Sequence, residues 1–423
     1  MLNSGIYWDD WLLLFRKAGE GLSAPDPRMF IYDLLNQTPN PILGYRIISF
    51  LALGIGMIAW YYSLKKIIHP EIAFVLSLGY ILLPLNNARI AAINLPYAIS
   101  EGINAFAFLL LLNRKILLSV PLFILSFITP AYYVWMYAEL LIAFLYFRYT
   151  TSKSFHPIVW LGLFCLPIVG WIIRGEYFNP IGNYAAYYAV TPERIFNAFL
   201  RIPVVVVKQF LGLGLEIWRL ITPFSILLFV SFYFLFPIPI QYKGIWTKYL
   251  GGIGILLMGV AVFPYLVLGL EPSFTDWNSR HQLLLPIGMS AVITWVFLII
   301  NKTKGRIISL GLLALLCSTV ISQQIEWFQD EQKQNKVIMW MKNHEKEIKP
   351  GVIVIADKSQ ISFAANRKLR FYELTGMWNR ISTNQNMWIC WNSCNQFPDS
   401  SFYTSLYYLK NYSGGKYQTK IFP

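Results

Sequence analysis

The sequence predicts an all-α polytopic membrane protein of about ten transmembrane helices, with a small α/β extramembrane domain at its C-terminal end. Of its 423 residues, 56% are hydrophobic and only 13% are charged. A soluble domain has about 25% charged residues, so this composition and a mean hydropathy of +0.48 indicate the membrane class. The net charge of +14 comes from basic residues in short loops between apolar runs, which is typical of a membrane protein rather than of a nucleic-acid-binding one.

Ten apolar runs are candidates for membrane spans, since a span needs about 20 predominantly apolar residues. They lie at 42–64, 71–86, 97–113, 116–132, 133–148, 157–173, 221–240, 249–270, 282–300 and 307–323. The stretch 116–148 is also compatible with one re-entrant hairpin that Pro130 breaks.

Basic residues follow every second predicted span, which predicts that those loops are cytoplasmic. They are Lys65, Lys66, Arg114, Lys115, Arg148, Lys153, Lys243, Lys248, Lys302, Lys304 and Arg306. The other loops, which are rich in acidic, aromatic and amide residues, are then external. The N-terminal segment is among them, so we expect a hydrophobic helix upstream of Met1 to translocate it.

These patterns predict three regions. Residues 1–41 form an external loop with short helices on the membrane surface, and residues 42–323 form the transmembrane domain. Within the second region, the amphipathic stretch that begins at Pro192 is expected to lie in the membrane interface rather than to span. Residues 324–423 form an external soluble domain, because a polar helical pattern there is followed by a buried-strand signature at 352–355.

Two adjacent carboxylates near the N-terminus, Asp9 and Asp10, are the sharpest chemical signal. They lie between Trp8 and Trp11 and close to Tyr7. Neighbouring carboxylates at a membrane surface can act as a general base or hold a divalent cation, and each raises the pKa of the other. The alternative is structural: an acidic residue at this position would cap a helix that begins at Trp11.

A second group of polar residues, from Asp276 to His281, precedes an apolar span. Arg280 can bind a phosphate group through two parallel hydrogen bonds. His281 can add a donor or carry a proton. The alternative is an ordinary interfacial arginine whose stem lies along the membrane.

Other charged residues are weaker candidates. Arg89, Arg174 and Arg201 are each possible phosphate ligands, with a solvated surface charge as the alternative. Glu101 and Glu139 lie inside apolar segments, where an acidic residue is costly and therefore a functional candidate.

Motifs for nucleotide or protease chemistry are absent from the sequence: it has no phosphate-binding loop, Gly-rich dinucleotide turn, H-E-x-x-H or G-x-S-x-G. Of the four cysteines, Cys390 and Cys394 form C-W-N-S-C. The sequence leaves open whether they form a disulfide or remain free thiols, and it offers no set of four metal ligands around them.

The stretch from Tyr7 to Trp11 resembles the first external loop of the polytopic C-class glycosyltransferases, which include protein O-mannosyltransferases, aminoarabinose transferases and related envelope enzymes. The resemblance implies a sugar donor linked to polyprenyl phosphate, and an acceptor that is a lipid, a glycan or a protein. It also implies that Asp9 or Asp10 takes the acceptor proton.

For a transferase of this kind, residue chemistry and loop placement suggest roles for further residues and a place in the cell. The donor phosphate would be held by Arg280, with His281 and with Arg89 or Arg174. The sugar or the acceptor would contact Tyr7, Trp8, Glu101, Tyr187 and Trp277. A divalent cation at Asp9 and Asp10 is possible on this view, and the protein would lie in the cell membrane with its C-terminal domain outside.

Two other functions remain compatible with the sequence. One is a flippase or transporter of lipid-linked saccharides, which the intramembrane acids Glu101 and Glu139 would support. The other is a polymerase or ligase of envelope polysaccharides, which would use a similar lipid-linked donor.

Overall fold

The computed structural model describes most of the transmembrane region and parts of both ends of the chain. The described residues are 6–7, 10, 28–85, 87–150, 155–177, 189–220, 224–235, 245–274, 276–299, 302–347, 351–357, 363–364, 369, 371–382, 387–391 and 418–422. Four residues of interest lie outside them: Trp8, Asp9, Tyr187 and Cys394. For Trp277 and Cys390 the backbone alone is described.

Most of the described chain is α-helical. The helices are α1 (Arg28–Asn36), α2 (Pro41–Ile67), α3 (Pro70–Leu82), α4 (Leu95–Leu112), α5 (Ile116–Ser126), α6 (Ala131–Thr150), α7 (Pro157–Tyr177), α8 (Pro192–Leu220), α9 (Phe224–Leu235), α10 (Ile245–Val267), α11 (Leu285–Ile299), α12 (Lys302–Asn343) and α13 (Phe371–Ile381). Short 3-10 helices occur at Asn87–Ile90, Ala92–Asn94, Asp276–Gln282 and Glu345–Glu347.

Five helices of the described chain are long and apolar enough to cross a membrane. They cover Pro41–Ile67, Ala92–Leu112, Pro157–Tyr177, Pro192–Leu220 and Lys248–Val267, and three shorter apolar helices are α3, α5 and α11. The broad prediction of a helical membrane protein is therefore confirmed. The finer count of about ten spans stays a prediction. One of the five, α8, is the stretch for which the sequence predicts an interfacial position.

Small residues allow the main helices to pack closely. A side chain at Gly102 of α4 would place its Cβ 2.5 Å from the carbonyl oxygen of Ala52 in α2. The pair α10 and α11 meets in the same way, where a Cβ at Gly254 would lie 2.7 Å from the carbonyl oxygen of Gly288. Close approach of backbones at small residues is how helices associate in membranes, where lipid is as apolar as the side chains.

The long helix α12 joins the two ends of the chain. Its 42 residues correspond to about 63 Å, roughly twice the hydrocarbon thickness of a bilayer. The boundary predicted between residues 323 and 324 therefore lies inside a continuous helix. The C-terminal half of α12 packs against α13, and Val337, Met341 and Trp378 form a buried cluster there with Ile6 of the N-terminal segment.

Three short strands follow α12: β1 (Gly351–Asp357), β2 (Met387–Trp391) and β3 (Gln418–Phe422). They form a parallel sheet in the order β2–β1–β3, in which Ile353 pairs with Ile389 on one side and with Gln418 on the other. The strand β1 covers the run of β-branched residues 352–355. Parallel strands need crossover connections, and α13 lies in the connection between β1 and β2.

Candidate functional site

A buried carboxylate, that of Asp10, fastens the N-terminal segment to the loop between α3 and α4. Its two oxygens accept hydrogen bonds from the backbone N–H groups of Ala92 and Ile93, both at 2.8 Å, and one also accepts from the N–H of Tyr7 at 3.2 Å. Ala92 and Ile93 begin the 3-10 helix Ala92–Asn94, where the first N–H groups have no partner within the helix. An acidic side chain at that position satisfies them and complements the helix dipole.

Among the described residues, the cation that acts on the buried Asp10 carboxylate is Arg46. Burial raises the pKa of Asp10 to about 6, although the nearby Arg46 guanidinium and the three N–H groups act in the opposite direction. Arg46 is also buried, and its guanidinium lies 5.9 Å from the ring centroid of Tyr7. Because three donors already occupy the Asp10 carboxylate, the geometry favours an anchoring role for Asp10. Asp9 is then the remaining candidate of the pair for the general base.

Tyr7 packs into the protein rather than facing a substrate. It has no exposed surface, its hydroxyl donates to the carbonyl of Trp327 at 3.0 Å, and the two rings meet edge to face at 4.8 Å. Ile90 and Ala91 complete the same cluster. The predicted contact of Tyr7 with substrate therefore has no support in this geometry, because the ring fills the junction of the N-terminal segment with α12.

Two arginines lie on segments that touch each other. Arg89 belongs to the 3-10 helix Asn87–Ile90 and Arg280 to the 3-10 helix Asp276–Gln282, and these two helices are in contact. Arg89 forms an ion pair with Glu101, with a nitrogen–oxygen distance of 3.4 Å, and its guanidinium lies 5.8 Å from the ring centroid of Tyr80. The packing of the two loops thus places a pair of cations at one end of the helices.

His281 holds Arg280 instead of carrying a charge of its own. The Arg280 Nε–H donates to His281 Nε2 at 3.2 Å, and the imidazole ring packs on Tyr265 with centroids 4.9 Å apart. Burial, together with the adjacent Arg280 charge, lowers the pKa of His281 to about 3. The imidazole is therefore neutral at pH 7, and its geometry fits an acceptor that orients Arg280 better than the predicted phosphate donor.

Beneath these arginines a small cavity contains buried polar groups. Glu101, Asn104 and Tyr132 line it, and it has room for about one water molecule. The Glu101 Oε2, Asn104 Nδ2 and Tyr132 hydroxyl atoms have no hydrogen-bond partner of good geometry among the described residues. The cavity lies beside the Trp135 indole, whose N–H donates to the Glu139 carboxylate at 3.1 Å. A polar pocket surrounded by apolar helices therefore adjoins the arginine pair.

The remaining predicted site residues divide into two groups. Arg174, near the end of α7, donates to the carbonyl of Ile128 at 3.3 Å, in the segment between α5 and α6. Trp8, Asp9, Tyr187 and the Trp277 side chain lie outside the described residues. The structure thus places Asp10, Arg89, Glu101, Arg280 and His281 on segments that contact one another.

Some residues of this region were missed by the sequence analysis. Arg46 lies in the first predicted span, and a charge inside a span is a signal that would have identified it. Tyr80, Tyr132 and Tyr265 are three among 26 tyrosines, so their positions carry no signal in the sequence. Within the described part of the chain, no cluster of three or more His, Cys, Asp or Glu side chains forms a metal site. The divalent cation suggested for Asp9 and Asp10 stays a prediction.

Together these features define a helical membrane protein with a partly buried, charged site where two interhelical loops meet. The chain matches no protein-family model, no curated protein and no solved structure. The residues and their geometry are therefore the basis for a functional hypothesis.

Proposed function

We propose that this protein is a membrane glycosyltransferase that moves a sugar from a polyprenyl-phosphate-linked donor to an acceptor on the external face of the cell membrane. The observation that carries the proposal is the convergence of Asp10, Arg89, Glu101 and Arg280, which are remote in sequence, around the contact of two loops. The resemblance of the stretch around Asp9 to C-class glycosyltransferases supplies the class of donor.

The two arginines would bind the donor phosphate. An arginine presents several N–H donors in a planar fork that matches phosphate oxygens. Glu101 is 4% exposed and holds Arg89 in place, while His281 holds Arg280. Both guanidinium groups are thus oriented before the donor arrives, which lowers the entropic cost of binding.

The transfer would be a single displacement. Asp9 takes the proton of an acceptor hydroxyl, and the acceptor oxygen forms a bond to the anomeric carbon of the sugar. The bond from that carbon to the phosphate oxygen breaks, and the polyprenyl phosphate leaves with the electron pair. Asp10 keeps the adjacent Asp9 in position through its bonds to the N–H groups of Ala92 and Ile93.

We further propose the membrane arrangement that this reaction needs. The loops that carry Arg89 and Arg280 would be external, because the basic loop at Arg114 and Lys115 would be cytoplasmic. About ten spans would surround the site. The sheet β2–β1–β3 with α13 would belong to a small external α/β domain.

The test is a transfer assay with the full-length protein in liposomes, radiolabelled polyprenyl-phosphate sugars and a membrane extract as acceptor. A general base contributes about 10²–10⁴-fold, so Asp9→Asn should lower the transfer rate at least about 100-fold. Arg280→Gln should raise the donor concentration needed for half-maximal rate. The matched control is Arg148→Gln, which changes an exposed arginine at the end of α6 away from Tyr132 and should leave transfer unchanged.

Two results would contradict the proposal. Full activity of Asp9→Asn would refute the assignment of the base. Absence of transfer with every donor would refute the enzyme class, provided that the protein is folded and inserted.

A second candidate, a flippase or transporter of lipid-linked saccharides, is favoured by the cavity beside Glu101 and by the buried Glu139. It predicts saturable donor binding that Arg280→Gln removes, movement of the donor between bilayer leaflets, and no transfer. A polysaccharide polymerase or ligase, in contrast, would give long products or transfer a long glycan, which gel analysis of the labelled acceptor distinguishes.

A further inference from the structure

The helix α8 exposes a continuous apolar stripe. Its large exposed side chains recur every three or four residues, which is the spacing of one helix face, and their exposed fractions lie between 57% and 76%. They are Phe196, Leu200, Val204, Val207, Leu211, Leu215 and Trp218. In a membrane protein such a face needs an apolar environment, because water around it would be unfavourable.

The opposite face of α8 contacts the segment between α10 and α11 at Gln209, and α12 at Leu220. The carbonyl of Pro272 accepts from the Gln209 side chain at 2.8 Å, and the side chain of Gln282 donates to Gln209 at 2.6 Å. Further along, the hydroxyl of Ser322 donates to the carbonyl of Leu220 at 3.2 Å. The middle of α8 therefore reaches the segment that contains Asp276–Gln282, and its end reaches α12.

An ion pair also joins the C-terminal end of α8 to α12. Arg219 binds the Glu326 carboxylate with two hydrogen bonds, and Glu326 precedes Trp327, which accepts a hydrogen bond from Tyr7. Tyr7 in turn packs on Ile90 beside the arginine site. A helix perpendicular to the membrane would separate Gln209 and Leu220 by about 16 Å in depth, whereas a helix in the membrane plane would place both contacts at one depth.

One edge of α8 is cationic. Arg201 and Lys208 both bind Glu271, with nitrogen–oxygen distances of 2.5 and 2.8 Å, so the group carries a net positive charge. Both lie about a quarter-turn from the apolar stripe. A helix with an apolar face and a basic edge is the usual form of a helix that lies in the headgroup region of a bilayer.

We propose that α8 lies in the plane of the outer membrane surface, with its apolar stripe in contact with the acyl chains and its cationic edge towards the lipid phosphates. The occupant of the stripe is the lipid bilayer that also surrounds the neighbouring span α10, on which Phe199 of α8 packs at 4.8 Å from Phe263. The helix would thus form a shelf beside the arginine site, although its length and composition alone would allow it to span.

Spin labels on α8 would test this orientation in liposomes. Labels at Leu200, Val204, Leu211 and Leu215 are introduced singly after the four native cysteines have been replaced by alanine. The membrane depth of each label is measured from collisions with oxygen and with a water-soluble nickel chelate. An in-plane α8 gives equal depths within about 5 Å, whereas a spanning α8 gives a steady change of about 22 Å from Leu200 to Leu215.

Labels on α2 provide the matched control within the same protein. Ile47, Leu51 and Ile58 are similarly exposed on a candidate span, and their depths should change steadily along the helix. A steady gradient on α8 would overturn the proposal. Exclusion of oxygen at all four α8 positions would also overturn it, because a second copy or a protein partner would then cover the stripe. The measurement involves no sugar donor, so its outcome is independent of the transfer assay.

Discussion

Replacing Asp10 with Asn tests the anchoring role of this residue through the pH dependence of stability. Burial raises the pKa of Asp10 from 3.8 to about 6 in the folded protein. The folded state therefore holds the proton more tightly than the unfolded chain does. The stability that this proton contributes is fully present below pH 3.8 and is lost as the pH rises to about 6.

The size of the effect follows from the pKa difference of about 2 pH units. Each unit corresponds to 1.36 kcal/mol, so the wild-type protein should lose about 2.5 kcal/mol from this group between pH 4 and pH 7. Asn has the same shape and does not titrate. It also turns an N–H₂ group towards one of the N–H groups of Ala92 and Ile93, which leaves that donor without an acceptor at a cost of about 1–3 kcal/mol.

Asp10→Asn should therefore be less stable than the wild type, and the stability difference should shrink by about 2.5 kcal/mol from pH 4 to pH 7. The measurement is denaturant-induced unfolding in detergent micelles, followed by tryptophan fluorescence at several pH values. Asp33→Asn, at an exposed position of α1, is the control and should show no such trend. A stability difference that is constant with pH would refute the buried, titrating carboxylate.

Two further substitutions test the packing around the site. Glu101→Gln removes the counter-charge of the partly buried Arg89, and we expect the free energy of unfolding to fall by about 2–4 kcal/mol. The double variant with Arg89→Gln should recover part of this loss. Additive losses from the two substitutions in the same unfolding assay would argue against the ion pair. Gly102→Ala puts a Cβ 2.5 Å from the Ala52 carbonyl oxygen and should lower the apparent melting temperature, whereas Gly54→Ala meets no atom within 4 Å and should not. Equal melting temperatures for the two glycine variants would contradict the close contact of α2 and α4.

Local composition was sufficient to predict several helices. The predicted run 42–64 corresponds to α2 (Pro41–Ile67), and 97–113 corresponds to α4 (Leu95–Leu112). A run of about 20 apolar residues is long enough to cross a bilayer, so it can be identified without information about neighbouring helices. Composition alone does not show where a helix ends: the change from apolar to polar residues at 324 falls within the continuous helix α12.

The chemical candidates were found from residue types, but their roles were not. Asp10 and Arg280 were identified as a possible base and a phosphate ligand. The partners that define them here are the N–H groups of Ala92 and Ile93 for Asp10, and the imidazole of His281 for Arg280. A backbone N–H has no signature in a sequence, because every residue except proline carries one.

The amino-acid sequence by itself determined the class of protein, since hydropathy and the placement of basic residues are properties of short segments that do not depend on distant contacts. Tertiary structure alone decided which charged groups share a site. Asp10 meets Ala92 across 82 residues, and Tyr7 meets Trp327 across 320. Such contacts depend on how the helices pack, which many remote side chains determine together.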